Sequence, residues 1–149
     1  MKLFYDVLFM MIFSFIIQYY VMSYIMVDKP NNITNSLGKF YISSMMSVLM
    51  GILEVTMNNF MMKKISWNYY TILFVLLFAL LILYKKQIGI NDTQYLNEMI
   101  EHHSMAILTS NEILGKTEDY KIKKLASDIK ITQQDEIKIM KQLLRSKTQ

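Results

Sequence analysis

The 149 residues contain no cysteine. That excludes disulfides, thiolate metal sites and cysteine nucleophiles. Charge is scarce as well, at 19% of residues against 53% hydrophobic. The net charge of +4 is modest, and its lysines flank apolar runs or alternate with acids. Nucleic acid requires a concentrated basic face, so no nucleic-acid partner is expected. Histidine is limited to two adjacent residues, His102 and His103. This rules out a His-Glu-x-x-His zinc hydrolase and any three-histidine centre. There is no nucleophile–base pair and no phosphate-cradling loop, so no enzymatic activity is expected. Repeats and low-complexity tracts are also missing. Methionine is the residue in excess, at 14, in a chain that is generally rich in Ile, Lys, Asn and Tyr.

Three stretches are long and apolar enough to cross a bilayer, which takes about 20 such residues. They are Leu3–Val27, Phe40–Met62 and Trp67–Tyr84. Leu3–Val27 has neither the shorter apolar region nor the small-residue cleavage site of a signal peptide. It is therefore read as a retained span. Lys63–Lys64 and Lys85–Lys86 close the second and third spans. Trp67, Tyr69, Tyr70 and Tyr84 sit at the ends of the third, where amphipathic rings favour the headgroup level. Residues 28–39 read as a polar loop.

From Ile88 the composition changes to that of an exposed helical hairpin. Asp92 or Thr93 is expected to cap a helix to about Leu114, with Gly115 as terminator. Thr117 is expected to cap a second helix to about Leu144. The division expected is residues 1–86 as a three-span membrane domain and 87–149 as the hairpin. The turn is short, so the helices should pack antiparallel. Equal distances from Lys116 would then set His103 opposite Ile129 and Met99 opposite Gln133. One hairpin buries little surface, and a second copy would complete a four-helix bundle, so a homo-oligomer through the hairpin is expected.

The histidines carry the chemistry. Residues three or four apart share a helix face. That brings Met99 to the two histidines, with Met105 at the margin. Thioethers select soft ions such as Cu(I), and imidazole suits Cu, Zn, Fe and Ni. From the facing helix, Gln133 can reach such a centre and Glu136 its edge. Bound copper, as Cu(I), is therefore the expected cofactor, with metal ligands drawn from Met99, His102, His103, Met105, Gln133 and Glu136. Two other readings compete. In one, the histidines are seam residues of a structural or oligomerisation protein. In the other, the spans conduct metal along Met46, Met50, Met57 and Met61, which share a helical face with Glu54. An ionisable residue inside a span is expensive and by default a functional candidate. Thr56 or Gln18 would be its hydrogen-bond partner.

The pattern Met99-Ile100-x-His102-His103-x-x-Ala106-Ile107 is followed by Ala126-x-x-Ile129-x-x-x-Gln133-x-x-Glu136-Ile137-x-x-Met140-x-x-Leu143. It resembles the domain of unknown function 305, over roughly residues 92–145. The resemblance implies an all-α chain whose hairpin is half of a ferritin-like four-helix bundle. A bacterial branch of that family carries three Met-rich N-terminal spans, and Leu3–Tyr84 is similar to that region. The family usually has proline where this chain has Glu101, often glycine at Met105 and methionine at Thr109. Copper or silver binding by some members implies the same class of ion here. The resemblance also implies a hairpin outside the cytoplasm. The positive-inside rule weakly implies the reverse, since Lys29, Lys39, Lys85 and Lys86 share one side. The expectation adopted is a non-cytoplasmic hairpin.

Overall fold

The computed structural model describes residues 2–147. Every regular element among them is helical. In chain order these are α1 (Lys2–Ile16), a π-helical turn (Ile17–Val21), α2 (Met22–Met26), one 3-10 turn (Pro30–Asn32), α3 (Leu37–Met62), α4 (Trp67–Lys85), α5 (Asp92–Leu114) and α6 (Tyr120–Lys147). They divide into two compact units: Met1–Val21 with Leu37–Gly89, and Met22–Ser36 with Ile90–Gln149. The all-α class and the order of three apolar helices before a helical pair are as expected.

Three helical stretches, Lys2–Met26, Leu37–Met62 and Trp67–Lys85, are long and apolar enough to cross a membrane. Side chains such as Phe9, Val75 and Phe78 are more than 60% exposed in the first unit. Exposed apolar surface of this extent needs lipid or protein as its solvent. Within that unit α3 packs against both α1 and α4. Its buried face is Ser43, Ser47, Gly51 and Val55, small side chains that let backbones approach. Ser47 Oγ donates to the Met11 carbonyl at 2.6 Å. A Cβ at Gly51 would lie 2.9 Å from Met11 Cγ, so glycine sets this approach. Thr56 Oγ1 lies 2.8 Å from the Ile52 carbonyl and 3.0 Å from the Tyr70 hydroxyl. Thr56, one of the two partners expected for Glu54, thus pairs instead with Tyr70 across α3 and α4. Met46, Met57 and Met61 are exposed. Met50, of the same stripe, is half-buried, so the methionine stripe of α3 faces mostly outward in this unit.

The second unit is built on the antiparallel pair α5 and α6. Asn91, not Asp92 or Thr93, caps α5: its side chain accepts from Gln94 N at 2.9 Å. The second helix begins later than expected. Asp119 Oδ1 accepts from Lys121 N at 2.7 Å, while Thr117 Oγ1 accepts from Asp119 N within the turn. Carboxylate beats hydroxyl here because it also answers the positive end of the helix dipole. At the far end Lys147 pairs with Asp92. The core between the helices is Leu96, Ile100, Ile107, Ile137 and Met140, with Met99 and Leu144 packed at its edge.

The polar loop read from sequence is a strap on this pair. Ser104, 0% exposed in the middle of α5, accepts from Asp28 N at 3.0 Å and Asn32 Nδ2 at 3.1 Å. Lys141 of α6 donates to Asn32 Oδ1 at 2.6 Å and to the Asn31 carbonyl at 3.2 Å. Thr34 N donates to Glu101 Oε2 at 3.2 Å, and Asn111 Nδ2 to Asp28 Oδ1 at 3.2 Å. Asn32 therefore links α5 to α6. Replacing Asn32 with Ala should cost ~1–3 kcal/mol, because buried partners lose their bonds. Thermal denaturation of the full chain in detergent measures this. Unchanged stability would mean that the strap is not part of the folded unit.

Candidate metal centre

Adjacent helical residues are turned roughly 100° apart, and that separates the two histidines. His103 lies beside the buried stripe of α5, with its side chain 17% exposed. His102 is turned outward and exposed. Met99, one turn before His103, is half-buried and packs against the Leu96–Ile100 core. Glu98, one turn before His102, is close enough to feel its charge. Met105 is half-buried and two residues past His103. By helical register it lies on a different face from His103, although it is three residues from the outward His102. The helix thus brings Met99 and His103 to one flank, with His102 at its outer margin, and turns Met105 away.

From α6, Glu136 Oε2 lies 3.4 Å from His103 Nδ1. Gln133 Nε2 donates to the same carboxylate oxygen at 3.2 Å. Glu136, not Ile129, is the level partner of His103. Two effects shift the register in the same direction. The non-helical turn runs from Gly115 to Asp119, longer than a pivot at Lys116 assumes. Side chains also lean toward their own helix N-terminus. On α5 that is away from the turn, and on α6 it is toward it. A residue on α5 therefore meets one further along α6. The same shift puts Met140 in the core with Leu96 and Ile100.

His103 Nδ1 is buried and forms no hydrogen bond. The seam reading expected His103 to hydrogen-bond a neighbour, but the approach of Glu136 does not make that bond. Burial disfavours the imidazolium and lowers the His103 pKa from its ordinary value. The Glu136 carboxylate opposes this, and the charge of His102 adds to it. The ring is therefore neutral near pH 7, the state that coordinates metal. Burial also raises the Glu98 pKa, with His102 opposing and Glu101 adding.

The donors fit a transition ion that accepts imidazole, thioether and carboxylate. Among the described residues, no three His, Cys, Asp or Glu converge on one point. Sequence reasoning missed the residues that brace α5 behind the histidines, namely Asp28, Asn32, Thr34 and Lys141. The available signal was Ser104, a small polar residue that, with Ser110, interrupts the apolar interior of α5.

Residues 92–149 match the model of the family described as domain of unknown function, DUF305. The resemblance seen in the His-His motif and the following helix is thereby supported over the hairpin. The chain is also similar to an uncharacterized protein of Acanthamoeba polyphaga mimivirus, 47% identical over 74 residues. That alignment covers 50% of this chain and 46% of the relative, so the chain spans about half of that relative's length. No solved structure matches.

The lowered His103 pKa has a testable sign. Unfolding returns the ring to about 6.5, so the unfolded chain binds the extra proton. Stability from this group is complete above that pH and is lost as pH falls through it toward the folded value. Glu98 acts in the opposite sense at lower pH. Denaturant titrations of the metal-free chain from pH 7.5 to about 5 should show falling stability, and His103→Gln should flatten the slope. An unaltered slope in the variant would contradict the assigned environment.

Proposed function

We propose that this chain is a membrane-anchored metal-binding protein whose hairpin takes up a soft transition ion, with Cu(I) as the ion its imidazole and thioether donors favour. The observation that carries this reading is the buried Nδ1 of His103, which makes no hydrogen bond and faces the Glu136 carboxylate at 3.4 Å. A buried polar atom with no hydrogen bond costs free energy, and a neutral imidazole relieves that cost by coordinating. Met99, on the same flank, is the thioether donor. His102 is the outer ligand, reached by a rotamer change or by a shared ion. Glu136 balances the cation's charge, and Gln133 holds that carboxylate. Met105 is the weakest member of the set, because its register turns it away.

The rival structural role makes the histidines seam residues only, and binding measurements separate the two. Exchanging both His102 and His103 for Ala should abolish Cu(I) uptake by the full chain in detergent, assayed against a weak competing chelator. Met99→Leu conserves apolar volume at a cost usually under ~1.5 kcal/mol. It should weaken Cu(I) and leave Zn(II) nearly unaffected, since zinc prefers nitrogen, thiolate and carboxylate donors. Affinity should fall as the solution is acidified through the histidine range, because protons compete for the same nitrogens. Absence of Cu(I) uptake, with the double variant losing only thermal stability, would establish the seam role instead.

The topology that suits this function has three spans, an N-terminus inside and the hairpin on the non-cytoplasmic side. A reporter active only in the cytoplasm, fused after Gln149, should be silent. A strong signal would reverse the orientation, in favour of the lysine distribution.

A further inference from the structure

The three membrane-length helices of the first unit leave a cleft that their own side chains do not fill. Both α1 and α4 pack on α3, and between them lies a hollow of ≈ 470 Å³. Met11 and Phe15 of α1, Phe40, Ser44 and Val48 of α3, and Leu80 of α4 line it. Ser47 is also on its wall, but its hydroxyl is spent on the Met11 carbonyl. Along α3 the lining runs from Phe40 to Val48, a rise of roughly 12 Å. One leaflet of a hydrocarbon core is about 15 Å deep. Past Met11 and Leu76 a second hollow, of ≈ 360 Å³, continues toward Phe4 and Tyr69.

The Phe40 end of the cleft leads to charge. The Phe15 and Phe40 rings meet edge to face, with centroids 5.4 Å apart. Phe15 also stacks on Tyr19 at 5.4 Å, and Tyr19 stands in the π-helical turn Ile17–Val21. Lys39 Nζ lies 4.6 Å from the centre of the Tyr19 ring. A row of rings thus joins the apolar hollow to an ammonium. The Tyr41 hydroxyl donates to the Ile88 carbonyl at 2.9 Å. That bond ties the end of α4 to the start of α3 and brings the exposed Lys85 and Lys86 to the same end. The two acids of this unit are Asp6 and Glu54. Asp6 is in the opening turns of α1, at the other end, and Glu54 is in the second half of α3.

We propose that this cleft is a binding site for an anionic phospholipid, with one acyl chain in the hollow and the phosphate at Lys39. Charge identifies the occupant. Three lysines and no acid of this unit stand at one membrane edge, where an anionic headgroup supplies the counter-charge. Tyr19 suits that level, because amphipathic rings favour the headgroup zone and its face holds the ammonium in place. Below it, the apolar wall has about the depth that one acyl chain fills. A helix from a second copy fits worse. In one bilayer that copy has the same orientation, so its lysines would come level with these and repel them. A zwitterionic lipid could fill the hollow but would bring a cation of its own to Lys39. The site draws nothing from the metal centre of the hairpin.

The full chain, purified in a mild detergent, is titrated with dioleoyl phosphatidylglycerol or dioleoyl phosphatidylcholine. Native mass spectrometry counts the lipid bound. The two lipids share their tails and differ in headgroup charge. The chain should retain phosphatidylglycerol at one per chain and hold phosphatidylcholine more weakly. Lys39→Gln should lower the phosphatidylglycerol affinity about fivefold, the worth of one lysine at a lipid surface, and leave phosphatidylcholine unchanged. Ser44→Phe puts a ring into the hollow and should lower retention of both lipids. Glycerol phosphate, a headgroup without tails, should not compete. Helicity by circular dichroism, unchanged in both variants, excludes misfolding as the cause. Equal retention of the two lipids, or no effect of Lys39→Gln, overturns the anionic site. Retention untouched by Ser44→Phe, or full competition by glycerol phosphate, overturns the role of the cleft. A chain that retains neither lipid, and whose dimer Ser44→Phe dissociates, overturns the proposal in favour of a second copy.

Discussion

A hairpin of two helices can bury only the stripe along which its helices touch. Each helix has flanks on both sides of that stripe, and something else must cover them. In this protein the strap of residues 28–36 covers one flank through the Asn32 bridge between Ser104 and Lys141. The rest of the second unit is arranged around that closure. Apolar positions at the centre of the pair form the core, polar positions on the strapped side bind backbone, and the remaining apolar side chains are left on the open side. His103 and Glu136 stand at the edge of the core on that open side.

This placement gives the two histidines different properties despite their adjacency. His102 is exposed, whereas burial holds the His103 ring in its neutral form. Glu136 lies near enough to moderate that effect but makes no hydrogen bond. A ring held neutral, with one nitrogen unspent, is chemically prepared to accept either a proton donor or a metal. Met99 at the same edge biases the choice toward a soft ion. The carboxylate beside it does not by itself select copper; in the proposed centre it would balance the charge of the ion.

The parts of this architecture governed by composition were legible in the sequence. Three apolar runs, the second and third closed by lysine pairs, became three helical stretches within a few residues of the expected ends. The apolar period of residues 92–147 gave the hairpin. The parts governed by exact register were not legible. The start of α6 depends on which of Thr117 or Asp119 wins the cap. That choice, together with the lean of the side chains, moved the partner of His103 from Ile129 to Glu136. The strap's partners were not legible because its bonds join residues far apart in sequence, such as Asn32 with Lys141; the polar Ser104 in the α5 interior marked only one end of them. The regular methionine spacing of α3 is a row of mostly exposed side chains, and methionine is equally at home facing lipid.

The central claim is that the His103 imidazole is a metal ligand held ready by its burial. Two histidines in the whole chain make imidazole-labelled 15N NMR of the full protein in detergent a direct measurement. The account predicts two resolved rings, with His103 neutral at pH 7 and its nitrogen resonances displaced on addition of Cu(I). If both rings keep their shifts in the presence of Cu(I), or if only His102 responds, the account is contradicted.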